Sequence, residues 1–248
     1  MELRRYRADL HIHTCLSPCG ELTMYPRAVA AAALAAGLDI IAVTDHNSTE
    51  NAAAVRTAAR GTRLAVFSGL EITTEEEAHI LGIFDAGADL ASVQKAVYGR
   101  LPEAPSLRSF EEDQVIVDAE DGVTGFNPHG LFGATTLSAA EAVGLIHDHG
   151  GLAVAAHLDR PSFSVLSQLG FIPPGLELDA VEGSPLLTLE EAVNAFRLET
   201  PLPVLLSSDA HKPEDIGAAA TVFLLAEASF EEVRKALRGI EGRKVWPS

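Results

Sequence analysis

Short apolar runs recur along the whole chain, several of them closing on a histidine or an acid, and alanine-rich stretches with helical spacing separate them. ADLHIH, LDIIAVTDH, TRLAVFSGLE, AHILGIF, GLAVAAH and PVLLSSDAH read as buried strands, and LELDAVEG and AATVFLLA supply two more. Helical stretches run from about Pro26 to Gly37, through AAAVRTAAR after a candidate N-cap at Ser48, through SAAEAVGLIHDHGG, and at about 188 to 198 and 229 to 238. A strand followed by a helix, again and again, is the pattern of βα units, so the class is α/β. Six or seven units fit a closed, TIM-like barrel better than an open doubly wound sheet, because no glycine-rich nucleotide fingerprint follows the first strand. A barrel of 248 residues needs no second domain, and residues 1–248 read as one. The rhythm breaks from about 99 to 136, where Asp121-Gly122 between DQVIVD and VTGF predicts a hairpin inside an insertion too short for its own core.

Composition narrows the partners. A chain that is 47% apolar and 21% charged builds a packed core. No apolar run approaches the roughly 18 residues that cross a bilayer, and none follows the basic opening as a signal peptide requires, so the expected compartment is cytoplasmic. A net charge of −17 repels a long nucleic-acid backbone, whereas a small anion is compatible once bound cations reverse the field locally. The two cysteines, Cys15 and Cys19, make no disulfide framework.

The chemistry lies at the strand ends. His11 and His13 finish the first strand, Asp45 and His46 the second, Glu71 the third, and His157 and the pair Asp209 and His211 later ones; in a parallel barrel these ends meet on one rim. In His11-Ile12-His13 both imidazoles share one side of the strand while Ile12 packs on the other. Each position alone has an ordinary reading: histidines satisfied by backbone groups, a loop residue at His46, a solvated acid at Glu71, a core histidine at His79. The whole set of metal-ligand types on one rim is harder to explain as packing, because unpaired buried carboxylates and imidazoles are costly. Asp9 and Asp45, next to ligand-type residues, are candidates to accept a histidine's second ring proton, or else cap loops. His147 and His149 read as structural at a helix end, Cys15 reads as structural too, and His129 lies in the insertion.

DLHIHT, VTDHN, GLE, HILG, AHLDR and SDAH, in this order over residues 7 to 212, resemble the successive motifs of the PHP (polymerase and histidinol phosphatase) superfamily. The resemblance implies a distorted (β/α)7 barrel with two or three divalent ions (zinc, iron or manganese) at its C-terminal rim. It implies one ion on His11, His13, Glu71 and Asp209, a second on Glu71, His79 and His157 with Glu71 bridging, and a third on His46 and His211. Cys19 stands where many family members present histidine or aspartate for that third ion; it either supplies a thiolate or leaves the ion weakly held.

The expected activity is hydrolysis of a small phosphate ester or nucleotide by metal-activated water, with Glu71 and Asp209 at the metals and Arg160 clamping phosphate oxygens. Arg160 also reads as a surface ion pair, and Leu158 stands where family members often have proline. Alternatives are exonuclease action on short oligonucleotides, a histidinol phosphate phosphatase, and a metal-binding module without chemistry.

Overall fold

The structure, a computed structural model, describes residues 2–102, 114–196 and 202–246. One sheet takes in β1 (Arg4–Ile12), β2 (Ile40–Val43), β3 (Ala65–Thr73), β4 (His79–Phe84), β7 (Leu152–Ala155), β8 (Ala180–Gly183), β9 (Val204–Leu206), β10 (Thr221–Leu225) and β11 (Lys244–Val245). Its order is β11-β10-β1-β2-β3-β4-β7-β8-β9, while β5 (Val115–Val117) and β6 (Val123–Phe126) form a separate hairpin. The sheet curls until the segment after β9 meets the end of β1. There Ile12 bridges Ala210 in parallel, and the His13 amide donates to the Ala210 carbonyl at 3.0 Å. This is a distorted TIM-like barrel with β10 antiparallel beside β1 and β11 antiparallel beside β10.

The wholly parallel barrel expected from the sequence does not form. β4 runs against both neighbours, β3 and β7. The cause is the link between β3 and β4: residues 74–78 cannot provide the dozen or so residues of a parallel crossover, so the chain makes a hairpin. Reversal puts the first residue of β4, His79, at the rim where the other strands end, and pairs it with Thr73.

Strand alternation sorts the core into two layers. Ala8, Leu10, Ile40, Ala42, Phe67, Leu81, Ile83, Leu152, Val154, Ala180 and Leu205 cluster inside the barrel. Ile12, Ile41, Val43 and Val66 pack outward on α1 (Pro26–Ala35) and α2 (Ala52–Ala58). Leu70, Ile72, Ile80, Val181 and Leu206 pack outward on α3 (Leu90–Tyr98), α4 (Ala139–Asp148), α5 (Val165–Leu169) and α6 (Leu189–Phe196). Leu10 faces in and Ile12 faces out, so the alternation of β1 changes phase between them, where its register on β2 is irregular. Such bulges re-aim side chains. Here the bulge turns His11 and His13 inward above the core, with Ile12 packed outward as expected.

Local signals mostly hold. Pro26 opens α1 and Gly37, at φ 72°, follows its end; Ser138 and Glu141 make a reciprocal capping box on α4. Ser48 is not a helix cap: Asn51 occupies that position, and the Ser48 hydroxyl bonds the Tyr98 hydroxyl at 2.9 Å instead. The hairpin turns at Asp121 (φ 68°) and docks on the loop after β1, the Val115 amide donating to the Cys15 carbonyl at 3.2 Å. Residues 103–113 of the expected insertion and 197–198 of the expected helix lie outside the described residues. Among those described, no helix is long and apolar enough to cross a membrane.

The helix α7 (Phe230–Leu237) is tied to the chain end by one buried ion pair. Arg243 grips Glu232 with Nε on Oε2 at 3.0 Å and Nη2 on Oε1 at 3.1 Å, while Glu232 Oε2 accepts the Ala226 amide at 2.7 Å. The guanidinium holds the Glu232 carboxyl down to about 2, from an ordinary value of 4.5. A carboxylate depressed in the folded state stabilises above its unfolded pKa and loses that contribution as pH falls toward the folded one. Glu232→Gln is therefore expected to lower stability at pH 7 by about 1–3 kcal/mol. In urea melts the gap from the unsubstituted chain should narrow below pH 4.5; a gap unchanged at pH 3 would show that the charge is not what stabilises α7.

Candidate metal centre

Six of the nine histidines converge with two acids at the rim. Glu71, fully enclosed on β3, is the hub. Its Oε1 lies 2.7 Å from His79 Nδ1, 3.2 Å from His157 Nε2 and 3.4 Å from His11 Nε2. Its Oε2 lies 3.0 Å from His46 Nδ1 and 3.4 Å from His13 Nε2. Asp209 approaches His13 Nε2 at 3.1 Å and His11 Nε2 at 3.2 Å, and the two Nε2 atoms are 3.2 Å apart. His79 Nδ1 and His157 Nε2 are 3.3 Å apart. Burial falls from His11, His13, Glu71 and His157 at the bottom to half-buried His211 and exposed Cys19 at the mouth.

The arrangement costs backbone strain. Asn47, His157 and Asp209 have φ of 50°, 28° and 50°, in the left-handed region that side chains with a Cβ rarely enter. Residues held in such conformations cluster at functional sites, where the surrounding structure over-determines them.

Electrostatics follow from crowding. Burial opposes charge on His11, but the Asp209, Glu182 and Glu71 carboxylates raise its pKa well above the ordinary value. His13, also against burial, is raised to about 9 by Asp209 and Glu71. Glu71 and Asp209 are held below the usual carboxylate range, despite burial, chiefly by His79 and His11 respectively. Burial pushes His46 well down, and burial with the nearby His13 lowers His211 to about 4. The Cys19 thiol is pushed up to about 12 by desolvation and then by Glu71 and Asp209, so it is neutral unless a cation reverses the field.

These residues fit divalent ions. Two donors each about 2.0–2.1 Å from one ion stand roughly 3 Å apart, which matches the 2.7–3.4 Å separations around Glu71. His46 Nδ1 lies close to Glu71 yet makes no hydrogen bond, as expected of a lone pair aimed at a cation. Imidazole with carboxylate suits zinc, iron or manganese. His11, His13 and Glu71 form one close group, and His46, Glu71 and His79 another. His13, Cys19, His46 and His211 form a third, so Cys19 stands in the expected group with His13 beside it.

The remaining sequence candidates divide. Arg160 lines the pocket and pairs with Asp209 Oδ2 at 2.5 Å. Asp9 touches no histidine ring; its oxygens accept the Ser208 amide at 3.0 Å and the Gly217 amide at 2.9 Å. Asp45 acts at one remove, accepting from the Ser17 hydroxyl at 2.7 Å, which in turn bonds His13 Nδ1 at 2.8 Å. His147 pairs with Asp179, and His129 stacks on Tyr98 at 4.0 Å, away from the cluster. Sequence reasoning missed Glu182. On β8, buried, its Oε1 meets His11 Nδ1 at 2.9 Å and accepts the His157 amide at 3.2 Å. The signal was available: in DAVEG the acid stands two residues after the inward-facing Ala180, near a strand end.

A rim of imidazoles and acids around one shared carboxylate, on a seven-strand barrel closed over an apolar core, makes a cluster of side chains that could hold metal ions. Residues 9–141, more than half of the chain, match the PHP domain model, and residues 191–239 match the PHP-associated model; the chain belongs to the PHP domain family. No curated protein matches it in sequence. Among solved structures it is similar to the lesion-specific endonuclease PfuEndoQ from Pyrococcus furiosus, with 20% identity and a TM-score of 0.71 over 98% of this chain and 58% of that one. Endonuclease Q in complex with a 27-mer duplex bearing an abasic lesion gives 19% and 0.68 over 98% and 58%. A two-domain protein from Bacteroides vulgatus containing a predicted PHP-like metal-dependent phosphoesterase gives 18% and 0.55 over 95% and 63%. These likenesses establish a shared fold, and the chain spans less than two thirds of each of those proteins.

A carboxylate on the far nitrogen of a metal-facing imidazole fixes the ring's tautomer and raises its basicity. Glu182→Gln is expected to weaken metal affinity about 10- to 100-fold while the chain stays folded. Chelator competition checks this; an unchanged affinity would leave Glu182 a packing residue.

Proposed function

We propose that the chain is a metal-dependent hydrolase of phosphate ester bonds, acting on a small phosphorylated compound or a nucleotide. The observation that carries the reading is Glu71, whose two oxygens together reach five imidazoles, Oε1 facing His79, His157 and His11 and Oε2 facing His46 and His13, as a carboxylate shared between ions would. Divalent ions bound there would supply Lewis acidity and a water acidified toward neutral pH. Oε1 with His79 and His157 would hold one; His11, His13 and Asp209 with Glu71 would hold another; His46, His211 and Cys19 are the donors for a third.

The protein's own part is positioning. The pocket is about 170 Å³, small against the roughly 300–1,000 Å³ of ordinary ligand sites, so it suits one phosphoryl group with the rest of the substrate outside. Among the described residues Arg160 is the one arginine or lysine that lines it, and it can turn its free donors to phosphoryl oxygens while it keeps Asp209. Among the described residues no serine or threonine lines the pocket, and its one thiol, Cys19, is pushed up to about 12, which supports direct attack by water over a covalent intermediate.

A second reading, cleavage of short oligonucleotides, is favoured by the likeness to endonuclease Q. The net charge of −17 weighs against long nucleic acids, because affinity for them rests on phosphate neutralisation.

Elemental analysis, with hydrolysis of a phosphomonoester, a phosphodiester and short oligonucleotides, tests the reading. Two or three equivalents of metal are expected, with turnover falling at least about 100-fold in His11→Ala and Glu71→Gln. Metal without turnover on any ester would make the chain a binding module, and no metal would overturn the proposal. Arg160→Ala is expected to raise KM about tenfold with metal content unchanged; loss of metal instead would make Arg160 a support for Asp209 only.

A further inference from the structure

Two phenyl rings stand at the mouth of this pocket, and packing among the described residues accounts for neither. Phe132 is 61% exposed and belongs to none of the hydrophobic clusters among the described residues, yet it meets the His46 ring edge-on at 6.1 Å. Phe163 stacks on His79 at 4.9 Å with its planes 19° apart. His46 and His79 are themselves 5.2 Å apart, so both phenyls border one opening.

Both are held in place. Leu131 is buried, and the Asn47 amide, next to His46, donates to the carbonyls on each side of Phe132, Leu131 at 2.8 Å and Gly133 at 3.0 Å. The Leu131 amide donates to Gln114 Oε1 at 3.0 Å. Phe163 has a φ of 59°, a conformation kept where its carbonyl accepts the His79 amide at 2.8 Å. An exposed aromatic on an anchored loop loses little entropy when something stacks on it.

Resting on the phosphoesterase reading, we infer that Phe132 and Phe163 form a stacking subsite that selects phosphate esters carrying a planar heteroaromatic ring. The phosphoryl group enters beside Arg160, and the ring lies on the exposed face of Phe132. A nucleobase and an imidazole share this chemistry. Stacking is tolerant of ring identity because every such ring has a π-face, and it discriminates against esters with none.

The test uses the full metal-loaded chain, with Kd by equilibrium dialysis and kcat/KM for ribose 5-phosphate, adenosine 5′-monophosphate and an imidazolylalkyl phosphate. At least one ring-bearing ester is expected to bind and react about tenfold better than ribose 5-phosphate, and which one does so identifies the source. Phe132→Ala should reduce that preference about tenfold, and Phe132→Trp should keep it. Equal Kd for all three, or a Phe132→Ala effect equal on all three, would overturn the subsite. Absence of turnover with every ester would instead remove the phosphoesterase reading, and the Kd ratios would still report on the subsite.

Discussion

One buried carboxylate organises the upper half of this molecule. Glu71 is almost fully excluded from water and faces five imidazoles within 3.4 Å. A carboxylate moved out of water is stable only when opposite charge and directed donors replace the lost solvation. Two further buried acids, Asp209 and Glu182, crowd the same imidazoles. Without added cations, protons on His11 and His13 must balance that charge; divalent ions balance it more completely and use the nitrogen lone pairs.

The barrel serves that cluster. Its apolar interior includes Leu10, Leu81, Val154 and Leu205, and Leu81 stands directly opposite Glu71 on the neighbouring strand. Three departures from a regular parallel barrel then bring the donors together: the bulge that turns His11 and His13 inward, the reversed β4 that delivers His79, and the left-handed residues that aim His157 and Asp209. Each weakens local regularity, and together they bring the cluster five donors. The insertion contributes in a different way, its hairpin and the loop after it packing against the β1 and β2 ends so that Phe132 is fixed at the mouth.

Much of this was legible in the chain. Strand ends marked His11, His13, His46, Glu71, His157, Asp209 and His211, because a barrel strand stays apolar until it reaches the rim. The Asp121 turn was legible because its conformation is decided locally. Of the two readings open for Asp9, the loop cap is the one that forms: two residues before His11, it lies across the irregularity in β1 and satisfies the Ser208 and Gly217 amides. Glu182 was passed over because no neighbouring histidine marks it, and its partner His11 lies 171 residues away.

The sequence by itself determined the barrel class, the apolar core and the inventory of donors, since periodicity and residue type act over a few neighbours. Tertiary structure alone decided which donors share an ion-sized space, that Glu182 meets His11, and that Phe132 borders the pocket. Those outcomes depend on distances of about 3 Å between groups far apart in the chain, which only closure of the barrel fixes.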